Sequence, residues 1–243
     1  MATLDLQSIS KSFGSAKVLH DISLAIADKE FVVFVGPSGC GKSTLLRIIA
    51  GLEETSEGKI LIGGDDVSHA NPVDRGISMV FQSYALYPHL TVFENIAFPL
   101  RMFTQKTPAQ IRERVNFVLD RVKLPSAQHL LPAELSGGMM KRVGIARAIA
   151  LNPKYLFVDE PNSGLDPLTA SVIDKLIQDL TYEYEMTTIV VSHDMNSVLN
   201  IGDRVNFLYK GKKEWEGTNK EIFHADSAPL QEFVFVSDLI RRD

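Results

Sequence analysis

The sequence predicts an α/β fold: a parallel-sheet core with a glycine-rich strand-to-helix loop, an N-terminal antiparallel β subdomain and an inserted α-helical subdomain. Three observations carry this. Phe31-Val32-Val33-Phe34-Val35 is continuously apolar and runs straight into a glycine-rich turn, as a strand buried on both faces does. Further strand-length apolar runs at 59–62, 77–81, 155–158, 188–191 and 204–209 are interspersed with helical patterns at 108–122 and 168–183, the signature of a parallel sheet. Near the N-terminus, Leu4-Asp5-Leu6-Gln7-Ser8-Ile9-Ser10 alternates apolar and polar residues and 18–26 nearly does, which predicts half-buried antiparallel strands.

Helix is expected from Thr44 to Ala50, directly after the glycine-rich turn. Between Ser83 and about Leu151 the pattern turns mostly helical, punctuated by Pro88, Pro99, Pro108, Pro125 and Pro132. With no internal repeat or long linker, one bilobed unit is expected: a core of residues 1–82 and 152–243 and a helical subdomain of 83–151.

The chain has 243 residues, 45% hydrophobic and 23% charged, enough for a full core. Its net charge of -5 supplies no global basic footprint, so no nucleic-acid partner is expected. Cys40 is the sole cysteine, which excludes an internal disulfide framework and fits a reducing compartment. Met1-Ala2-Thr3-Leu4-Asp5 lacks the basic and apolar regions of a secretory signal, and the apolar runs fall far short of the roughly 20 residues of a membrane-spanning helix. A cytoplasmic location is expected, and any membrane role calls for a partner.

Gly36-Pro37-Ser38-Gly39-Cys40-Gly41-Lys42-Ser43-Thr44 fits the phosphate-loop pattern completely and lies between strand and helix, where that loop works. The glycines let backbone amides curl around phosphates, the helix N-terminus favours their charge, Lys42 reaches the β/γ oxygens and the Ser43 hydroxyl ligates Mg2+. Cys40 sits inside the loop, either as a passive occupant or as a redox sensor. The run 155–158 ends in Asp159 and Glu160, two carboxylates at the sheet edge where ligands bind: Asp159 is placed to hold Mg2+, Glu160 to act as general base. Gln82 and His193 also follow strands; an amide there suits Mg2+ or water and an imidazole suits a γ-phosphate, although polar residues end many strands without such roles. Leu135-Ser136-Gly137-Gly138-Met139 opens a helix with Ser136 as its cap, a second helix N-terminus able to meet an anion or simply to cap.

In order, Gly36–Thr44, Gln82, Leu135–Met139, Phe157–Glu160, Ser163-Gly164-Leu165-Asp166 and His193 resemble the motif series of the ABC ATPases over almost the whole chain. That resemblance implies a phosphate-loop, RecA-like core and a homodimer that sandwiches two ATP molecules. It implies that Ser136, Gly137 and Gly138 face the phosphate loop of the opposite copy. It also implies that Phe13 stacks on adenine, Asp166 communicates across the dimer, and Gln82 links ATP to transmembrane permease subunits. In this reading ATP closes the dimer, Glu160 orients water, and His193 stabilises the transferring charge. Met139 and Met140 stand where many relatives carry glutamine, and Asn162 where threonine or serine is commoner; no phosphate or Mg2+ ligand is lost, so hydrolysis is expected.

Within the family, residues up to about Arg101, including Met79-Val80-Phe81-Gln82-Ser83-Tyr84-Ala85-Leu86-Tyr87-Pro88-His89, resemble ATPases of sugar importers. From about Phe103 on, Glu160-Pro161-Asn162-Ser163-Gly164 and Ser192-His193-Asp194-Met195 resemble ATPases of the Mla type, which move phospholipids. A natural mosaic and an engineered chimera both produce such a split. The end at Asp243, without room for the C-terminal β domain of sugar-importer ATPases, favours phospholipid as cargo, with sugar import as the alternative. Permease subunits at the cytoplasmic face of the inner membrane, and possibly a substrate-binding accessory protein, are the expected partners. A ribosome- or DNA-acting ABC protein lacks the usual second cassette or coiled-coil insertion here. A phosphate-loop kinase or GTPase would lack Leu135–Met139.

Overall fold

The computed structural model describes residues 1–239. Strands β1 (Leu4–Phe13) and β2 (Ala16–Ile26) form an antiparallel hairpin, and β1 pairs on its other edge with β4 (Glu57–Ile62), followed by the short β5 (Asp65–Asp66). Gly63 and Gly64 between β4 and β5 both have positive φ, 64° and 95°, as a two-residue primed turn requires.

The second sheet has six strands, in the order β10-β9-β3-β8-β7-β6. Five are parallel: β3 (Phe31–Val35), β6 (Ile77–Val80), β7 (Tyr155–Asp159), β8 (Thr187–Ser192) and β9 (Arg204–Tyr209); β10 (Lys212–Gly217) turns back antiparallel along β9. The run at 59–62 thus belongs to the antiparallel sheet rather than to the parallel one.

Strand alternation sorts the core into two layers. Val32 and Phe34, with Tyr155, Phe157, Ile189 and Val191, face the antiparallel sheet and helix α1 (Lys42–Ile49). Phe31, Val33 and Val35 face the other way, into a core shared with α2 (Val92–Phe103), α3 (Pro108–Arg121), α4 (Gly137–Ile149) and α5 (Pro167–Glu183). α6 (Met195–Ile201) covers the same face. The inserted helices therefore complete the layer beneath the sheet. Capping boxes start two of them: Thr91 with Glu94 on α2, and Thr107 with Gln110 on α3.

The apolar C-terminal stretch forms helix α7 (Ala228–Leu239). Its Leu230 and Val234, one turn apart, are buried, and Phe233 packs on Phe207 with ring centroids 5.6 Å apart. The side chains of Val236 and Leu239, and all of Ile240, lie outside the described residues.

Helix ends that are buried need partners for their last carbonyls. Arg75, 5% exposed, supplies them for α1: Nη1 donates to the carbonyls of Ile48 and Ile49, both at 2.9 Å, while Nη2 and Nε reach Ser68 and Ala70. Arg114 does the same for α4, donating to Ile149 at 2.7 Å and Ala150 at 2.9 Å. Replacing Arg75 with Met should lower stability by about 2–4 kcal/mol, because a buried charged donor is lost and its carbonyls stay unpaired. Denaturant unfolding measures this; a change under about 0.5 kcal/mol would show the cap to be dispensable.

Candidate functional site

Because β3, β6, β7 and β8 run parallel and in register, their carboxyl ends open on one edge of the sheet. The loop after β3, Gln82 after β6, Asp159 and Glu160 at the end of β7, and His193 after β8 meet there. A cleft of about 310 Å³ is lined by Ser38, Gly39, Gly41–Thr44, Gln82, Glu160 and His193, together with Val18 of β2. Gly36 leaves the strand where a Cβ would sit 2.1 Å from the Leu208 carbonyl, so no other residue fits without moving β9.

Lys42 is buried at the start of α1, and its ammonium donates to the carbonyls of Gly36 at 2.8 Å and Pro37 at 3.0 Å, which curls the loop around it. Cys40 is buried beside it, Sγ 3.9 Å from Lys42 Nζ. Burial pushes its thiol up in spite of the nearby ammonium, which favours the passive role over thiolate chemistry.

The Ser43 hydroxyl donates to Asp159 Oδ1 at 2.8 Å, and Arg47 lies 3.9 Å from the other oxygen of that nearly fully buried carboxylate. A hydroxyl and a carboxylate oxygen held together at the mouth of a phosphate loop, with the Gln82 amide lining the same cleft, form the hard oxygen set that Mg2+ takes. Among the described residues no cluster of three His, Cys, Asp or Glu is placed to hold a metal. The donor set therefore fits an ion completed by phosphate oxygens and water, as Mg2+ prefers.

Glu160 Oε2 and His193 Nδ1 lie 2.6 Å apart, and with the carboxylate accepting, Nδ1 carries the hydrogen and Nε2 is left for a ligand. The Glu160 backbone has φ 50°, a left-handed conformation uncommon outside glycine. The Gln82 amide donates to Ser163 Oγ at 3.2 Å, joining the ends of β6 and β7.

Other expected site residues lie outside this cleft. Phe13, at the end of β1 and 47% exposed, has Lys11 Nζ 4.7 Å from its ring centroid. Ser136 caps α4, its Oγ accepting from Met139 N at 3.3 Å, and Gly138 packs so closely on α5 that a Cβ would lie 2.7 Å from Thr169 Cγ2. Asp166 caps α5, accepting from the amides of Leu168 and Thr169; hydrogen bonding by the Thr169 side chain, with the Thr169 and Leu168 amides, holds its carboxyl below the usual range. Within one chain, then, the Ser136–Gly138 end does not line the cleft that holds Lys42.

Sequence reasoning passed over Lys141 except as part of a motif. It is fully buried on α4 and donates to the carbonyls of Gln82 at 2.9 Å and Glu160 at 3.1 Å. Burial pushes its ammonium down to about 8, with Asp159 and Glu160 pulling the other way. A lysine within the buried face Val143, Gly144, Ile145 and Ala148 was the available signal.

The fold and the cleft define an ATP-binding cassette. The chain belongs to the ABC transporter family, whose model matches residues 19–163. Its fold is similar to a dimeric post-hydrolysis state of the ATP-binding cassette MJ0796 bound to ADP and Pi, with a TM-score of 0.80 and 33% identity over 89% of this chain and 98% of that one. A nucleotide-free cassette from an ABC transporter gives a TM-score of 0.85 at 27% identity, over 96% and 99% of the two chains.

Among curated proteins, the chain is 42% identical over 237 residues to the spermidine/putrescine import ATP-binding protein PotA of Haemophilus influenzae (strain 86-028NP), covering 97% of this chain and 63% of that protein. It is 45% identical over 224 residues to the maltose/maltodextrin import ATP-binding protein MalK of Yersinia pestis bv. Antiqua (strain Antiqua), covering 92% and 60%. The chain thus spans less than two thirds of these relatives' length.

These alignments correct the expectation of a break near residues 101–103. Import-type relatives match across 90–97% of the chain, through the segment expected to be of the Mla type, so neither a chimera nor phospholipid cargo is supported. The residues that suggested a switch lie in the segments after β7 and β8 that carry Glu160 and His193, and such segments report nucleotide chemistry rather than cargo.

Replacing Lys42 with Ala should weaken ATP binding by about 100-fold, the scale of one buried charge-assisted contact to phosphate. Titration calorimetry reads this directly; unchanged affinity would place the nucleotide elsewhere.

Proposed function

We propose that this chain is the ATP-hydrolysing subunit of an ABC importer and that it works as a dimer. The observation that carries the reading is the convergence of Lys42, Ser43, Gln82, Asp159, Glu160 and His193 on one cleft at the sheet's carboxyl edge.

The nucleotide's phosphates would occupy the turn between Gly36 and Thr44, with the amides at the start of α1 and the Lys42 ammonium as partners. Mg2+, held by Ser43, Gln82 and Asp159, would supply charge neutralisation between β- and γ-oxygens. Glu160 takes the proton of the attacking water as oxygen bonds to the γ-phosphorus and the bridge to the β-phosphate breaks. To bond a γ-phosphate oxygen, itself an acceptor, His193 would carry hydrogens on both ring nitrogens, Nδ1–H donating to Glu160 and Nε2–H to the phosphate. Phe13 offers an exposed ring for the base to stack on, a contact any base accepts.

The second copy follows from what one chain lacks. Ser136 is exposed at the N-terminus of α4 and outside its own cleft. A head-to-tail dimer brings that end to the γ-phosphate of the partner's cleft, and Asp166 lies beside the same surface.

A membrane partner is supported by a groove of about 580 Å³ lined by Leu52, Val73, Met79, Phe81, Phe103 and Leu151 among others. Val73 and Phe103 are 68% and 58% exposed, an apolar surface of the kind that marks a docking site. Phe81 adjoins Gln82, so an apolar permease segment seated there is one residue from the nucleotide. No helix among the described residues is long and apolar enough to cross a membrane; in this reading the spanning part belongs to that partner, with the chain at its cytoplasmic face. The cargo is a small solute: relatives named for polyamine, sulfate and maltose import support this over phospholipid, with the sugar-type reading of the first hundred residues in agreement.

Replacing Glu160 with Gln should lower hydrolysis roughly 1,000-fold, the middle of the range for a general base, while ATP binding persists. Light scattering of that variant with ATP should give twice the mass of the chain; a monomer at saturating ATP would contradict the sandwich. A charge at Val73, as Asp, should prevent recovery of the permease with the chain, and unaltered recovery would move the docking site elsewhere.

A further inference from the structure

Lys141 is the one fully buried lysine among the described residues, and its amine must find partners there or carry a heavy desolvation penalty. It finds two backbone carbonyls, those of Gln82 at 2.9 Å and Glu160 at 3.1 Å, and it lies 4.7 Å from the Tyr84 ring centroid. Further along α4, Arg147 donates to the carbonyls of Ala85 at 2.7 Å and Tyr84 at 3.1 Å. One helix thus holds, through two cations, the segment after β6 and the residue after β7.

The backbone so held is strained. Glu160 has φ 50°, Tyr84 64° and Ala85 48°. Each conformation of this kind costs about 1–3 kcal/mol and persists only where its surroundings enforce it. The other end of the same helix is Ser136–Gly138, packed by Gly138 on Thr169 of α5.

We propose that Lys141 is a positioning residue that ties the seating of α4 to the backbone aiming the Gln82 amide and the Glu160 carboxylate. The proposal rests on the hydrolytic reading above. α4 is a continuous helix, so a tilt imposed at Ser136 by a second copy moves Lys141, and a hydrogen bond tolerates only a few tenths of an ångström before it weakens. The carboxylate is therefore set for attack when α4 is seated, and the two loops are released together when it is not. Lys141 does not line the cleft; it acts through the two carbonyls.

The test is steady-state ATP hydrolysis by the whole chain, with kcat and KM separated, and the melting shift produced by ADP. Lys141→Met keeps the length of the stem and removes the donors. The substitution relieves the desolvation of a buried charge but leaves the Gln82 and Glu160 carbonyls unpaired, so the melting temperature without nucleotide is recorded first to show that the variant folds. We expect kcat to fall at least about ten-fold, as misaimed reacting groups do, while KM and the ADP shift stay within about two-fold. Lys141→Arg, which restores a cation able to reach both carbonyls, should recover at least about a third of kcat. A kcat within about two-fold of the unsubstituted chain, or loss of the ADP shift along with kcat, would overturn the positioning role. If Lys141→Met does not fold, Lys141→Leu, which also lacks a donor, is read by the same outcomes. Absence of hydrolysis in the unsubstituted chain, with Lys42-dependent ATP binding intact, would instead remove the hydrolytic reading and the coupling with it.

Discussion

The parallel register of β3, β8, β7 and β6 is the constraint on which the rest of the structure depends. Val35 lies opposite Ser192, Val191 opposite Asp159 and Val158 opposite Val80, so four chain segments leave the sheet at one level. β3, β8 and β7 are buried on both faces, which prevents them from slipping: a one-residue shift exchanges their two apolar sets between two differently shaped cores, and the half-buried β6 takes its register from β7. The polar residues that follow the strands are thereby brought together although more than a hundred residues separate Ser43 from Asp159.

A second theme is the use of buried or half-buried cations to satisfy main-chain carbonyls. Arg75 serves the end of α1, Arg114 the end of α4, and Lys141 and Arg147 the loops beside the cleft. None of these contacts is a simple ion pair, and their effect is positional, since a donor that must reach two or more carbonyls fixes the segments that carry them. Burial depresses the ammonium of Lys141 and the guanidinium groups of Arg75 and Arg147, the physical trace of that placement. The two helices pinned in this way carry Lys42 and Ser136, the two phosphate-facing ends in the dimer proposed above.

Much of this was legible in the sequence because its signals are local. The phosphate loop, the apolar run before it and the acids after β7 need only neighbours to be read. Other elements carry weak local signals. β10 is an edge strand, Lys-Lys-Glu-Trp-Glu-Gly, whose charges blunt the edge and hide the apolar alternation. α2 contains Pro99, which reads as punctuation, yet the capping box at Thr91 and Glu94 starts the helix and burial of Ile96, Ala97 and Leu100 holds it. α7 presents its buried Leu230 and Val234 within a stretch so apolar that helical spacing is obscured. The role of Lys141 is long-range: its partners lie 59 and 19 residues away and are backbone atoms, which leave no mark on residue identity. Cargo type is not legible in these motifs, because the residues they carry serve the nucleotide and are silent about what crosses the membrane.

The central claim is that each working site is built from two chains, Lys42 of one and Ser136–Gly138 of the other. Subunit complementation tests it most directly: mix a Lys42→Ala chain with a Ser136→Arg chain, each inactive alone, and measure ATP hydrolysis. A composite site predicts recovery, because the mixed dimer carries both lesions in one site and leaves the other intact. With random pairing, about a quarter of the unsubstituted activity should return if the two sites work independently. No recovery, with mixed dimers shown to form, would place both motifs in the same chain's site and contradict the account.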